Sequence, residues 1–128
     1  MRFLLFLALL VTVGCYPTRR WVASFPLEGP LDTACLEREL AQHSRLEDVE
    51  RRHDENDAIV SRVLREPQDA RRDPARLAVV QTVHEDDRRT LDVIVWVVTT
   101  QNTEPYFERL RALAGAVGQD LRDACSGE

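Results

Sequence analysis

A chain of 128 residues suffices for one small domain with a single modest core and is too short for two. Its 22 acidic and 17 basic residues leave a net charge of −5, and the signs are interspersed, as in Arg51-Arg52-His53-Asp54-Glu55 and Glu85-Asp86-Asp87-Arg88-Arg89. That pattern describes a solvated, salt-bridged surface. It excludes nucleic acid from the expected partners, because binding it needs a positive patch that displaces counterions.

Arg2 supplies a positive start, Phe3 to Val13 form an apolar stretch interrupted only by Thr12, and small Gly14 precedes Cys15. Residues 1–14 therefore read as a signal peptide. The stretch is about half of the roughly 20 apolar residues that cross a bilayer, and no later segment approaches that length. The segment Val11-Thr12-Val13-Gly14-Cys15 resembles the lipobox of bacterial lipoproteins, over residues 1–15 alone. The resemblance implies cleavage after Gly14, a diacylglyceryl group on the Cys15 sulfur and a second acyl chain, such as palmitate, on its amino group. Two chains make a stable anchor where one binds only marginally. Tyr16 stands where aspartate would signal inner-membrane retention, so the resemblance favours the outer membrane over the inner, with the domain facing the periplasm.

Three cysteines are an odd count for an exported protein, whose thiols normally pair. With Cys15 assigned to lipid, Cys35 and Cys125 remain as one disulfide in an oxidising compartment. Residues 15–30 hold Pro17, Pro26 and Pro30 with little periodicity and read as a lipid-anchored tether. Within it Trp21, Ala23 and Phe25 fall on one side of an extended segment, a pattern suited to docking on the domain.

The domain is expected at 31–128. Asp32 is a good N-cap for a first helix, with Leu31 and Leu36 at hydrophobic-staple spacing and an end near Gln42 or His43. Residues 45–53 fit a helix as well as a strand through Leu46, Val49 and His53. Residues 57–65 read as a strand, with Ile59 and Val63 on one side and Val60 and Leu64 on the other. Residues 76–84 alternate Leu77, Val79, Gln81 and Val83 against Ala78, Val80, Thr82 and His84. The strongest strand, 89–100, puts Leu91, Val93, Val95 and Val97 on one face and Asp92, Ile94, Trp96 and Val98 on the other, as in a central strand. Glu85 to Arg88 link these last two as a hairpin. A final helix, capped by Asn102 or Thr103 with Pro105 in its first turn, buries Phe107, Leu110, Leu113, Ala114, Val117, Leu121 and Ala124. Gly115 and Gly118 would let it approach the sheet closely.

The disulfide arbitrates the ambiguous stretch. Cys35 starts one helix and Cys125 ends the other, and their Cα atoms must come within about 7 Å. In a meander, an even number of strands between the helices makes them antiparallel and juxtaposes those ends. An odd number separates them by a helix length, some 15 Å or more at 1.5 Å per residue. Four strands result, with 45–53 a strand and Asp54-Glu55-Asn56-Asp57 its link. The expected fold is α+β, two helices packed on a four-stranded antiparallel sheet in the order α-β-β-β-β-α, with one disulfide.

No chemistry stands out. His43, His53 and His84 have no second histidine or cysteine at metal-ligand spacing, and the acidic turns lack the glycine and regular oxygens of a calcium loop. Neither a G-x-S-x-G elbow nor a glycine-rich phosphate loop occurs, and Glu37, Glu39, Asp86 and Asp87 are surface-like. No catalytic residue, metal or cofactor is expected. The outline is similar to that of outer-membrane assembly lipoproteins such as the lipopolysaccharide-assembly lipoprotein, an analogy of fold without a shared motif. The expectation is a non-enzymatic interaction or assembly-support module with an envelope protein partner. The alternative is a protein that binds a small ligand or cation.

Overall fold

The structure, a computed structural model, describes residues 18–52, 57–64, 74–98 and 104–126. The expected signal peptide and Cys15, the link residues Asp54 to Asn56, His53, and the caps Asn102 and Thr103 lie outside the described residues. Strand β1 is Thr18–Leu27 and helix α1 is Thr33–Ala41. Strands β2 (Leu46–Arg51), β3 (Ile59–Val63), β4 (Arg76–Val83) and β5 (Arg89–Val98) follow, and helix α2 (Glu104–Cys125) closes the order. The sheet runs β1-β5-β4-β3-β2 with every neighbour antiparallel.

Two helices and one antiparallel sheet are as expected, and so are four strands between the helices, with 46–51 a strand. A fifth strand corrects the expected four. The tether expected over 15–30 is replaced, from Thr18, by an edge strand paired with β5 through ten residue pairs. Its cause is the alternation itself. Trp21, Ala23, Phe25 and Leu27 pack against the main core while Val22, Ser24 and Pro26 point to the opposite face. Pro26 is tolerated because an edge strand has backbone N–H groups that no neighbour needs.

Both helices cover one face. In α1 the Asp32 carboxylate accepts from Ala34 N at 3.2 Å, and Cys35, Leu36 and Leu40 are buried. Nine residues make a marginal helix alone, so this buried face stabilises it. Gln81 fixes the chain just before α1: its side-chain oxygen accepts from Leu31 N at 2.7 Å and its amide donates to Leu31 O at 2.9 Å. Leu91, Val93, Val95 and Val97 of β5 lie beneath the helices, each at most 1 % exposed. In α2 the buried stripe includes Tyr106, Phe107, Leu110, Leu113, Ala114, Val117, Gly118 and Leu121. Ala124, expected inside, is exposed, because Cys125 takes the core-facing position at that turn.

The expectation for the two glycines holds at one position only. A Cβ at Gly118 would clash with the Cε2 edge of the Phe25 ring, which also lies 5.3 Å from the Arg122 guanidinium, so the glycine is what lets β1 dock on α2. A Cβ at Gly115 would meet nothing within 4 Å. Gly115→Ala is therefore expected to stabilise the protein by about 0.5–1 kcal/mol through helix propensity. Gly118→Ala should destabilise it by about 1–2 kcal/mol, because overpacking against an aromatic ring outweighs the same gain. Denaturant unfolding of both variants checks the opposite signs.

Asp48, Asp57 and Asp87 have φ values of 53°, 50° and 63°. Asp48 sits where two residues of β2 oppose one of β3, a bulge between Glu47 and Glu50. Asp87 supplies the left-handed residue of the β4–β5 turn, which explains how that turn closes without glycine, since aspartate visits this region more readily than most residues.

Opposite the bulge, Ser61 faces the core at 3 % exposure and its hydroxyl has no hydrogen-bond partner among the described residues. An unbonded buried hydroxyl costs about 1–3 kcal/mol, so Ser61→Ala is expected to raise stability by about 1 kcal/mol. The midpoint of denaturant unfolding should rise at unchanged slope. A fall would show that the hydroxyl finds a partner in solution.

Candidate functional site

Of the residues singled out in the sequence, the fold brings Cys35 and Cys125 together as a disulfide, with Cα atoms 5.9 Å apart across a sequence separation of 90. It joins the start of α1 to the end of α2, and both cysteines are buried. The bond is a clasp in the core with no second thiol pair beside it among the described residues.

The histidines and acids remain dispersed. His43 accepts from Arg45 N at 3.3 Å and lies 3.5 Å from Asp120, linking the end of α1 to α2. His84 contacts the Thr90 hydroxyl at 2.9 Å across the hairpin, and among the described residues no group holds its other ring nitrogen. In the turn, Arg88 donates to both oxygens of Asp86, from Nε at 2.8 Å and from its backbone N at 3.3 Å, and this holds the Asp86 carboxyl below its ordinary value. Among the described residues no three His, Cys, Asp or Glu side chains gather as a metal site. No described helix is long and apolar enough to cross a membrane.

What the fold does assemble is the second face of the sheet, on which no described helix or strand packs. Directly opposed residues of antiparallel strands share a face, so the register defines its rows. One row reads Val22, Ile94, Ala78, Val60 and Glu50 across all five strands. Ala58, Val60 and Ala78 form a small buried cluster with Val80 and Trp96 against it. Val22 and Val98 are 49 % and 43 % exposed, so the apolar row continues into solvent at the β1 side.

The neighbouring row reads Arg20, Trp96, Arg76, Arg62 and Glu47. Three guanidinium groups from three strands thus line up with one half-buried tryptophan. Arg62 has Asp48 at 3.8 Å, while Arg20 and Arg76 meet no carboxylate among the described residues. Arg62 and Arg76 oppose each other directly, an arrangement of like charges that costs stability. Toward the other end of the strands the face turns polar. Ser24 and Thr82 donate to the two oxygens of Asp92, each at 2.7 Å, which satisfies a half-buried carboxylate.

Sequence reading missed this row because its residues come from positions 20, 62, 76 and 96, and only register joins them. A separate cleft of about 380 Å³ lies between the end of β1 and the end of α2, lined by Pro26 to Leu31 with Arg122, Cys125 and Ser126. No protein-family model matches this chain, and no curated protein matches it significantly.

Proposed function

We propose that this protein is a non-enzymatic lipoprotein of the cell envelope, anchored at Cys15 in the outer membrane and facing the periplasm. It acts by contact with an envelope protein or by supporting an assembly. The observation that carries the reading is the second sheet face, on which no helix or strand packs among the described residues and where Val22, Ile94, Trp96 and Val98 form an apolar patch beside arginines. Tryptophan and arginine dominate the energetics of protein contacts, and a continuous apolar surface of this kind marks an interaction site. The His84–Thr90 contact does not favour an enzyme. It sits beside the β4–β5 turn, where among the described residues no carboxylate orients the imidazole as the third member of a nucleophile–base arrangement.

Photo-crosslinking in the native envelope tests this reading. Probes at Val22 and Ile94, which face each other in the apolar row, should capture the same specific protein, and a probe at exposed Glu108 on α2 should not. Recovery of no specific protein from the sheet face would overturn it.

Binding of a small ligand or cation is the second reading, supported by the 380 Å³ cleft, whose size suits a small molecule. Glu28 and Arg122 are its charged lining residues, and a few convergent polar groups are what such a site needs. Loss of a ligand-induced thermal shift in Arg122→Gln would favour it.

A further inference from the structure

We propose that the basic end of the open sheet face, Arg20, Trp96, Arg76 and Arg62, rests on the anionic headgroups of the membrane that holds Cys15. The proposal rests on the lipoprotein reading and specifies how the anchored domain is oriented.

Chain length sets the position. Three peptide units separate Cys15 from Thr18, where β1 begins, and they span at most about 11 Å. A lipidated Cys15 therefore holds the start of β1 at the bilayer surface. Arg20 is the second residue beyond Thr18, and Trp96 and Arg76 are its neighbours in register, so the whole row is delivered to the headgroup region.

Charge gives the row a reason to stay there. Directly opposed Arg62 and Arg76, with Asp48 only on the Arg62 side, are unfavourable in the isolated domain and are relieved by phosphate groups placed against them. Among the described residues the arginines of the row that meet no carboxylate are Arg20 and Arg76, on either side of Trp96. An indole between cations matches the headgroup layer, where tryptophan settles with its apolar body inward and its N–H in the polar zone. The opposite end of the sheet, about 23 Å from Trp96 along β5 at strand rise, carries Glu28, Glu85, Asp86 and Asp87 against Arg88 and Arg89. The acidic end thus points away from an anionic surface. The apolar row above the arginines stays accessible to a protein partner beside the membrane.

Trp21 and Trp96 are the two tryptophans, and Trp21, half-buried, packs against the core on the helix side with its ring 5.4 Å from that of Phe107. A Trp21→Phe background therefore leaves Trp96 as the reporter. The full lipidated protein would be placed in vesicles of phosphatidylglycerol and phosphatidylethanolamine that carry nitroxide-headgroup lipid, and in neutral phosphatidylcholine vesicles with the same quencher. Trp96 emission should be quenched strongly in the anionic vesicles and only weakly in the neutral ones, where the anchor brings the row near but no phosphate charge holds it. The excess quenching should be lost at ~1 M salt, where the screening length falls to ~3 Å. It should also be lost in the Arg20→Gln/Arg62→Gln/Arg76→Gln variant, whose melting temperature should equal or exceed the parent's, because like-charge repulsion is removed. The single variants Arg20→Gln and Arg76→Gln should each lower it, which covers the case of a triple variant that does not fold.

Equal quenching in both vesicle types, or in the parent and the variants, would overturn the proposal, as would none in anionic vesicles. A mass spectrum of the same preparation separates the two readings. Unmodified Cys15 overturns the anchor and the proposal with it, whereas lipidated Cys15 with unquenched Trp96 overturns the orientation alone.

Discussion

Removing the Cys35–Cys125 bond is expected to lower the stability of the domain by about 4–5 kcal/mol and its melting temperature by about 20 °C. The bond closes a loop across a sequence separation of 90, and in the chain-entropy model a crosslink of that span acts on the unfolded chain by denying it expanded states. A small domain has about 5–15 kcal/mol in total, so the loss takes it close to the edge of folding. The effect should be concentrated here because α1 is only nine residues long and depends on Cys35, Leu36 and Leu40 for its attachment. Denaturant unfolding of Cys35→Ser/Cys125→Ser, or of the reduced wild type, checks this. The unfolding slope should also rise, since the uncrosslinked chain exposes more surface. A loss below about 1 kcal/mol would show that the helices hold their places without the clasp.

Leu113→Ala is expected to cost about 2–5 kcal/mol, the range for truncating a fully buried leucine. Leu113 lies midway along α2 at 0 % exposure, in the core that also holds Val93 and Val95 of β5. The lost transfer energy of the side chain and the cavity left behind add, because a helix docked on a sheet and clasped at its far end relaxes little into the gap. Leu64→Ala is the control: Leu64 is 42 % exposed at the end of β3, and its truncation should fall within about 0.5 kcal/mol of zero. With Gly115→Ala stabilising two residues from Leu113 and Gly118→Ala destabilising three residues further on, three neighbouring tests fix the rotation of α2. A small effect at Leu113 would mean that the helix presents a different face to the sheet.

Much of the fold was legible because its hydrophobic periods are clean. The alternation Leu91, Val93, Val95, Val97 identified β5 and its buried face, and the 3–4 spacing from Phe107 to Leu121 identified α2. The disulfide resolved Leu46 to Arg51, where local pattern was ambiguous because the Asp48 bulge breaks the alternation: Leu46 and Val49 both face the core three residues apart, a helical spacing within a strand. Strand β1 was hidden for a different reason. Three prolines within residues 15–30 argued for an irregular tether, although the alternation of Trp21, Ala23, Phe25 and Leu27 was already a strand signal. Proline weighs against a central strand far more than against an edge.

The candidate surface was legible only in fragments. Asp92, Ile94, Trp96 and Val98 were recognised as a second face of β5, but the arginine row depends on registers that no local pattern encodes. Arg20 reaches Trp96 through the β1–β5 pairing, and Arg62 reaches Arg76 through β3–β4. A net negative chain can still carry a local basic row, because charge balance over a sequence does not report where strands gather like residues.

The proposed anchor at Cys15 is the premise of both proposals, since it would place the domain in the envelope and deliver the arginine row to the membrane. Mass spectrometry of the mature N-terminus tests it most directly. The proposed anchor predicts a chain that begins at Cys15, with a diacylglyceryl thioether on its sulfur and an acyl chain on its amino group. An unmodified N-terminus at any residue other than Cys15 would contradict it.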